Sequence, residues 1–370
     1  MTTVKQVIKL FEQWVPTNLA ESWDNVGLQV GDKNQQVKKV LITLDVVDSV
    51  VEEAIETNVD FIIAHHPLLF KGLKEINFSD PKGRVIQKLI KHNISVYAAH
   101  TNLDVVKAGV NDLLAEKLEI ENCKVLLPTV EDNLYKFIVY VPSTHIEKLT
   151  SAIGEAGAGH IGDYSHCSFR SQGEGAFKPL EGTNPFIGKQ GEIEKVEEFK
   201  LETIIKKSQL SNVLQAAKKA HPYEEMAYDL VPLENKGNVQ GLGRIGKLKQ
   251  PVSLEKYCEL VKEKLQISSL RFVGDPQAII KKVAVLGGSG KGYIDVAKNA
   301  GADLYITGDL TFHEAQDAEQ AGLCLIDPGH HVEEVMKEGV RKYLLENINV
   351  LPEKIEIEIS NHSTDPFKYK

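Results

Sequence analysis

Three short segments concentrate imidazoles and carboxylates at spacings suited to metal chemistry. The first is DFIIAHHPLLF, residues 60–70, where His65 and His66 follow an apolar run and precede Pro67. Neighbouring residues on a strand point to opposite faces. The pair therefore reaches one centre only if the chain turns near Pro67; one buried and one exposed histidine is the simpler alternative. The second segment, AAHTNLD (98–104), carries Asp104, whose two oxygens can bridge two cations or close a turn. The third, LCLIDPGHHVEEV (323–335), has His330 and Glu334 four residues apart. On an α-helix that spacing puts both on one face, about 5–6 Å apart at Cβ, and leaves His331 and Glu333 pointing elsewhere. Acidic residues suit a helix N-terminus, which explains the glutamates but not two histidines in a row.

The conjunction says more than any one piece. His65, His66, Asp104, His330 and Glu334 all fall at predicted C-terminal ends of strands, where open parallel sheets bind ligands. Structural zinc sites are closed and favour cysteine, whereas open sites of histidine and carboxylate belong to catalytic metals. Two divalent ions held by two carboxylates keep a net positive charge. Such a centre attracts anionic or phosphorylated ligands and can generate a nucleophile at neutral pH. The segment TGDLTFHEA (307–315) adds Asp309 and His313 near a further strand end. His313 and His331 are the candidates for acid/base work. The turn GGSGKG (287–292) is not a P-loop, because Val285 stands where the first glycine should be and Gly292 follows the lysine. A tight turn between strand and helix is its stronger reading. His160, His166 and His221, in GAGHIGDYSHCSF (157–169) and HPYEE (221–225), could make a second ligand site or simply fix loops.

The elements that must position these residues follow from hydrophobic periodicity. Apolar runs at 39–46, 60–64 and 94–99 alternate with helical patterns at 48–57, 84–92 and 110–118. The rhythm returns with strands at 282–286, 303–307, 323–326 and 355–359 and helices at 294–299, 313–321 and 331–345. Alternation of this kind predicts βαβ units and a parallel sheet in an α/β domain built from both chain ends. The middle differs. A strand at 135–141, a helix at 145–156, a strand at 199–205, a helix at 210–220 and a short strand at 227–230 suggest a ferredoxin-like α+β module. The expected organisation is thus one domain of residues 1–128 plus 236–370, interrupted by an insert at 129–235.

Composition narrows the function classes. Forty-three Lys and Arg against 52 Asp and Glu give a net charge of −9, which argues against nucleic acid as a partner. Cys123, Cys167, Cys258 and Cys324 form no CxxC pair, so a reduced compartment fits better than a disulfide framework. No apolar stretch reaches about 18 residues and the first residues lack an apolar leader core, so the expectation is a cytoplasmic protein without a membrane partner.

Taken together, SWDNVGLQVGD (22–32), IIAHHPLLFKGLK (62–74), AAHTNLD, GGSGKG, ITGDLTFHEA (306–315) and PGHHVEE (328–334) resemble one family. It is that of the dinuclear metal-centre hexameric proteins related to the NGG-one interacting factor, commonly named GTP cyclohydrolase 1 type 2 homologues. The insert, with GTNPFIG (182–188) and HPYEEMAYDL (221–230), resembles the CutA/PII-like module of longer bacterial members. The resemblance implies two divalent ions per subunit, zinc first, with iron, manganese or cobalt as alternatives. Their ligands would be His65, His66, Asp104, His330 and Glu334. It further implies a toroidal homohexamer and a metal-dependent hydrolase taking an anionic small molecule such as a nucleotide. A metal-dependent regulatory or ligand-sensing protein without turnover is the alternative.

Overall fold

In the computed structural model, which describes residues 1–368, thirteen strands alternate with helices. They are β1 (Gly27–Val30), β2 (Lys39–Thr43), β3 (Phe61–Ala64), β4 (Ser95–Ala98), β5 (Ile120–Pro142), β6 (Ser168–Phe177) and β7 (Glu194–Lys206). Then follow β8 (Tyr228–Ser253), β9 (Arg271–Val273), β10 (Ile279–Ser289), β11 (Leu304–Gly308), β12 (Cys324–Asp327) and β13 (Glu356–Ile359). The chain forms two compact units. One comprises Met1–Thr129 and the chain from Gln240 onward; the other is Val130–Val239.

The first unit contains two mixed sheets where one parallel sheet was expected. The N-terminal sheet has the order β1-β4-β3-β2-β13. Within it β13, β2, β3 and β4 run parallel, and β1 closes the edge antiparallel to β4. Strands β3 and β4 are buried at every position, as parallel strands covered on both faces must be. This is why β3 is an unbroken apolar run and β4 is apolar after Ser95. Residues of Asp48–Glu56 and Pro81–Lys91 pack on this sheet through Val50, Val51, Ala54, Val85, Ile86 and Leu89. In the second sheet β10, β11 and β12 run parallel, flanked by β8 and β9 antiparallel. The two edge strands β1 and β9 lie outside the expected set; neither is buried along its length as β3 and β4 are.

The C-terminal strand β13 pairs with β2, residue Ile357 opposite Val40. The last strand of the chain thus completes the first sheet. Four parallel strand ends in one sheet and three in the other become the sources of the site.

The second unit has the chain order strand–helix–strand–strand–helix–strand, with helices Ile146–Glu155 and Leu210–Ala220, the order of a ferredoxin-like module. Phe137, Val139 and Val141 of β5 and Leu201 and Ile205 of β7 form its core with Leu149, Ile153, Val213 and Ala217. Residues 157–192, which show no helical period, include β6, paired antiparallel with β7 along its whole length. The strands expected at 135–141 and 227–230 are parts of the much longer β5 and β8, and the buried stretch of β8, residues 241–246, lies outside the expected strand. Among the described residues no helix is long and apolar enough to cross a membrane.

Candidate metal centre

Three of the expected strand ends bring His65, His66, Asp104 and His330 to the same place. After β3 the backbone N–H groups of His65 and His66 donate to the carbonyls of Thr43 and Leu44 (3.2 and 2.9 Å). That bend breaks the strand alternation and brings both rings to one side, 5.1 Å apart at their centroids. Asp104 follows β4 on the short helix Thr101–Val105. Its backbone carbonyl is held by Asn111 (3.0 Å), a fully buried residue whose side-chain oxygen also accepts from Gly287 N–H (2.9 Å). His330 follows β12 after Gly329, whose φ of +89° turns the chain in a way that suits glycine.

The expected carboxylate partner of His330 needs correction. Residues His330–Val335 form a 3-10 turn, and the α-helix starts only at Met336. With three residues per turn, positions i and i+3 eclipse. Glu333, not Glu334, therefore lies beside His330, with its Oε2 3.1 Å from His330 Nε2. The same oxygen is 3.1 Å from His66 Nε2 and 3.7 Å from His65 Nε2. Glu334 turns away and pairs with Lys337 at 3.0 Å. The glycine-rich turn makes room for Glu333. A Cβ on Gly288 (φ +61°) would stand 2.6 Å from Glu333 Oε1, and one on Gly287 3.1 Å.

Three overlapping groups of side chains are close enough to hold an ion: His65, Asp104 and Glu333; His66, His330 and Glu333; and His65, His66 and His100. Glu333 belongs to two of them, so it, rather than Asp104, is the carboxylate common to two positions. His65 Nε2 and Asp104 Oδ1 are buried with no hydrogen-bond partner, and they stand 3.6 Å apart. Such orphaned atoms cost free energy unless something occupies the space between them. The donor set of imidazole and carboxylate suits a divalent cation.

Every ring is aimed from behind. His65 Nδ1–H donates to the carbonyl of Ala99 (2.8 Å), which turns Nε2 toward Asp104 and Glu333. His66 Nδ1 meets Asp45 Oδ1 at 2.7 Å, His330 Nδ1 meets Asp309 Oδ2 at 2.8 Å, and His100 Nδ1 meets Asp24 Oδ1 at 2.9 Å. Carboxylates behind metal-binding imidazoles set their orientation and basicity.

The electrostatics agree with a cation-seeking centre. The hydrogen bond to Glu333 leads in raising His330 to about 9, against the opposing effect of burial. Burial disfavours charge on His66, yet Asp45 and Glu333 outweigh it and raise the ring to about 10. Glu333 is itself buried, which would push it up, but its three imidazole neighbours hold it well below the usual range. Burial pushes the Asp104 carboxyl up, with His65 pulling the other way. Burial would also raise Asp24; hydrogen bonds from His100 and Thr101 prevail and hold it at about 2.

The two expected acid/base residues separate. His331 lines a cavity of about 930 Å³ that also touches His66, His330, Asp45 and Asp309. His313 is exposed on the helix Phe312–Gln320, with its ring against Phe312, and is in none of the ion-holding groups. It is not a residue of the centre. In the second unit His160 and His166 are exposed and His221 is buried among hydrogen bonds; no ion-holding group lies there among the described residues. Sequence reasoning missed His100, Asp24 and Asp45. His100 and Asp45 had a signal, since both follow the ends of parallel strands; Asp24 lies in a loop and had none beyond its place in SWDNVGLQVGD.

This architecture and its motifs are shared with known proteins. The Duf34/NIF3 (NGG1p interacting factor 3) family matches residues 2–366. The chain belongs to the Duf34/NIF3 family. It is 52% identical over 365 residues to the GTP cyclohydrolase 1 type 2 homolog of Bacillus subtilis strain 168, covering 99% of this chain and 98% of the relative. It is 48% identical over 363 residues to the protein of the same name from Halalkalibacterium halodurans, covering 98% of each. The crystal structure of a Bacillus cereus protein related to NIF3 superposes with a TM-score of 0.93 at 48% identity, over 100% of this chain and 99% of that one. The family read from the motifs is the family the chain belongs to.

Proposed function

We propose that this Duf34/NIF3 member holds two divalent metal ions and uses them in a hydrolytic reaction. The observation that carries this reading is the sharing of Glu333 between two ion-holding groups, one of which contains the orphaned atoms of His65 and Asp104. His65, Asp104 and Glu333 would hold one ion, and His66, His330 and Glu333 the other, with His100 close to the first. Bound ions would supply Lewis acidity, which polarises a carbonyl or phosphoryl oxygen and makes water more acidic.

The chain's own residues supply the rest. Asp45, Asp309 and Asp24 hold the imidazoles in one tautomer. The cavity of about 930 Å³ opens on His66 and His330 and is large enough for a small-molecule substrate. His331 lines it without belonging to an ion-holding group, which fits a group that exchanges protons with substrate. The name carried by the relatives, GTP cyclohydrolase 1 type 2 homolog, makes a nucleotide the first substrate class to try. Zinc is the first metal, with iron, manganese and cobalt as the alternatives. The family resemblance also supports a homohexamer and a CutA/PII-like role for the insert.

Metal analysis of protein purified from cells grown with each metal in turn tests the reading. Two ions per chain, reduced together by Glu333→Gln, would support it. Hydrolysis of GTP or a phosphoester that survives both His65→Ala and Glu333→Gln would show that the activity does not belong to this centre.

A further inference from the structure

Three of the four parallel strand ends in the first sheet contribute to the centre: Asp45 beyond β2, His65 and His66 beyond β3, and His100 and Asp104 beyond β4. The fourth end belongs to β13, and the segment beyond it runs alongside. Ser360 N–H donates to the carbonyl of Ile42 (2.9 Å). The Ser360 hydroxyl donates to Glu53 Oε2, while the backbone and side-chain N–H groups of Asn361 donate to Glu53 Oε1 (3.0 and 3.2 Å). This second anchor fixes the start of the segment independently of the centre.

Further along, the Thr364 hydroxyl donates to Asp45 Oδ2 at 2.5 Å. Asp45 Oδ1 accepts from His66 Nδ1. One carboxylate thus has each oxygen engaged, one by the imidazole and one by the tail. Thr364, Asp365, Pro366 and Phe367 line the cavity that touches His66 and His330.

We propose that Thr364 is a positioning residue for His66, acting through Asp45, and that the segment 364–367 is a working wall of the site. The proposal rests on the metal-centre reading above. A carboxylate held at one oxygen only is free to rotate about its terminal torsion, which is a broad and soft one. With Oδ2 pinned by Thr364, Oδ1 stays where the imidazole N–H needs it, and Nε2 keeps its aim. Partners of this kind, one step removed from the metal, typically change affinity by about 10–100-fold when removed.

The test is a Co(II) titration of the full chain, read by the visible absorption of bound Co(II), for wild type, Thr364→Val and Thr364→Ser. Valine keeps the shape and loses the hydroxyl; serine keeps the hydroxyl. Thr364→Val should bind at least one Co(II) about 10-fold more weakly with an altered spectrum, and Thr364→Ser should restore both. In an Asp45→Ala background, Thr364→Val should have no further effect, because the pathway is already cut. A residue that merely tethers the tail would lower stability equally in both backgrounds, and unfolding midpoints measured in parallel reveal this. Wild-type affinity and spectrum in Thr364→Val, failure of serine to restore them, or an undiminished effect in the Asp45→Ala background would each overturn the proposal while leaving the metal centre standing. A wild-type chain that takes up neither Co(II) nor Zn(II) would overturn both.

Discussion

The histidines of the two units follow opposite rules. In the first unit His65, His66, His100 and His330 each give Nδ1–H to a fixed carbonyl or carboxylate, and the Nε2 atoms of His65, His66 and His330 gather around Glu333. In the second unit His221 spends both nitrogens on the backbone: Nε2–H donates to the Tyr140 carbonyl (2.8 Å) and Nδ1 accepts from Tyr223 N–H (3.1 Å). His65 and His221 are both buried, at 0% and 7% exposure. Burial therefore does not mark a site. A nitrogen left without a partner does, because protein interiors seldom tolerate one.

The sharpest way to break this contrast is at the carboxylate that only the first unit supplies. Glu333→Gln should abolish uptake of both ions, whereas Glu334→Gln should retain the wild-type metal content, both by elemental analysis. Equal losses would refute the assignment made by the 3-10 turn. Next come the carboxylates behind the rings. Asp309→Asn and Asp45→Asn should each weaken metal binding by about 10–100-fold without abolishing it, as read from competition with a chromophoric chelator. His221→Phe should leave metal content unchanged and cost about 1–3 kcal/mol per backbone group left unpaired, measured by denaturant unfolding of the full chain.

The smallest effect is one of pH. Burial lowers the pKa of His221, so the folded state binds fewer protons than the unfolded state just below the ordinary value of about 6.5. The stability from the neutral ring should be complete above about pH 6.5 and decline as pH falls through that value, levelling off below the lowered folded pKa. Unfolding midpoints of wild type minus those of His221→Gln, followed between about pH 5 and 8, should show this decline; a difference that grows as pH falls would contradict it.

Much of the centre was legible because strand ends are legible. FIIA and VYA are unbroken apolar runs, so the residues that follow them could be placed at the same edge of a parallel sheet. His65, His66, Asp104 and His330, which the structure brings close together, could be picked out in this way. The choice between Glu333 and Glu334 was not, because it depends on whether one turn winds with a period of 3.0 or 3.6, and HHVEEV suits either. The carboxylates behind the rings escaped for another reason. Asp24 meets His100 from 76 residues away, and such pairing leaves no local period. The division into two sheets was hidden for the same reason: β13 joins β2 across most of the chain.

The 3-10 turn at His330–Val335 has a consequence for how the centre can be altered. From His330, three residues at 3-10 winding complete about 360°, returning Glu333 to the same azimuth. Three residues at α winding stop about 60° short, and the fourth overshoots by about 40°. Two adjacent glutamates straddle the azimuth that His330 defines, and the torsion of a single turn decides which one faces inward. Rewinding that turn would exchange one carboxylate for the other without changing a residue at either position, so the inward group is set by a mechanical adjustment of the backbone as much as by the identity of its side chain.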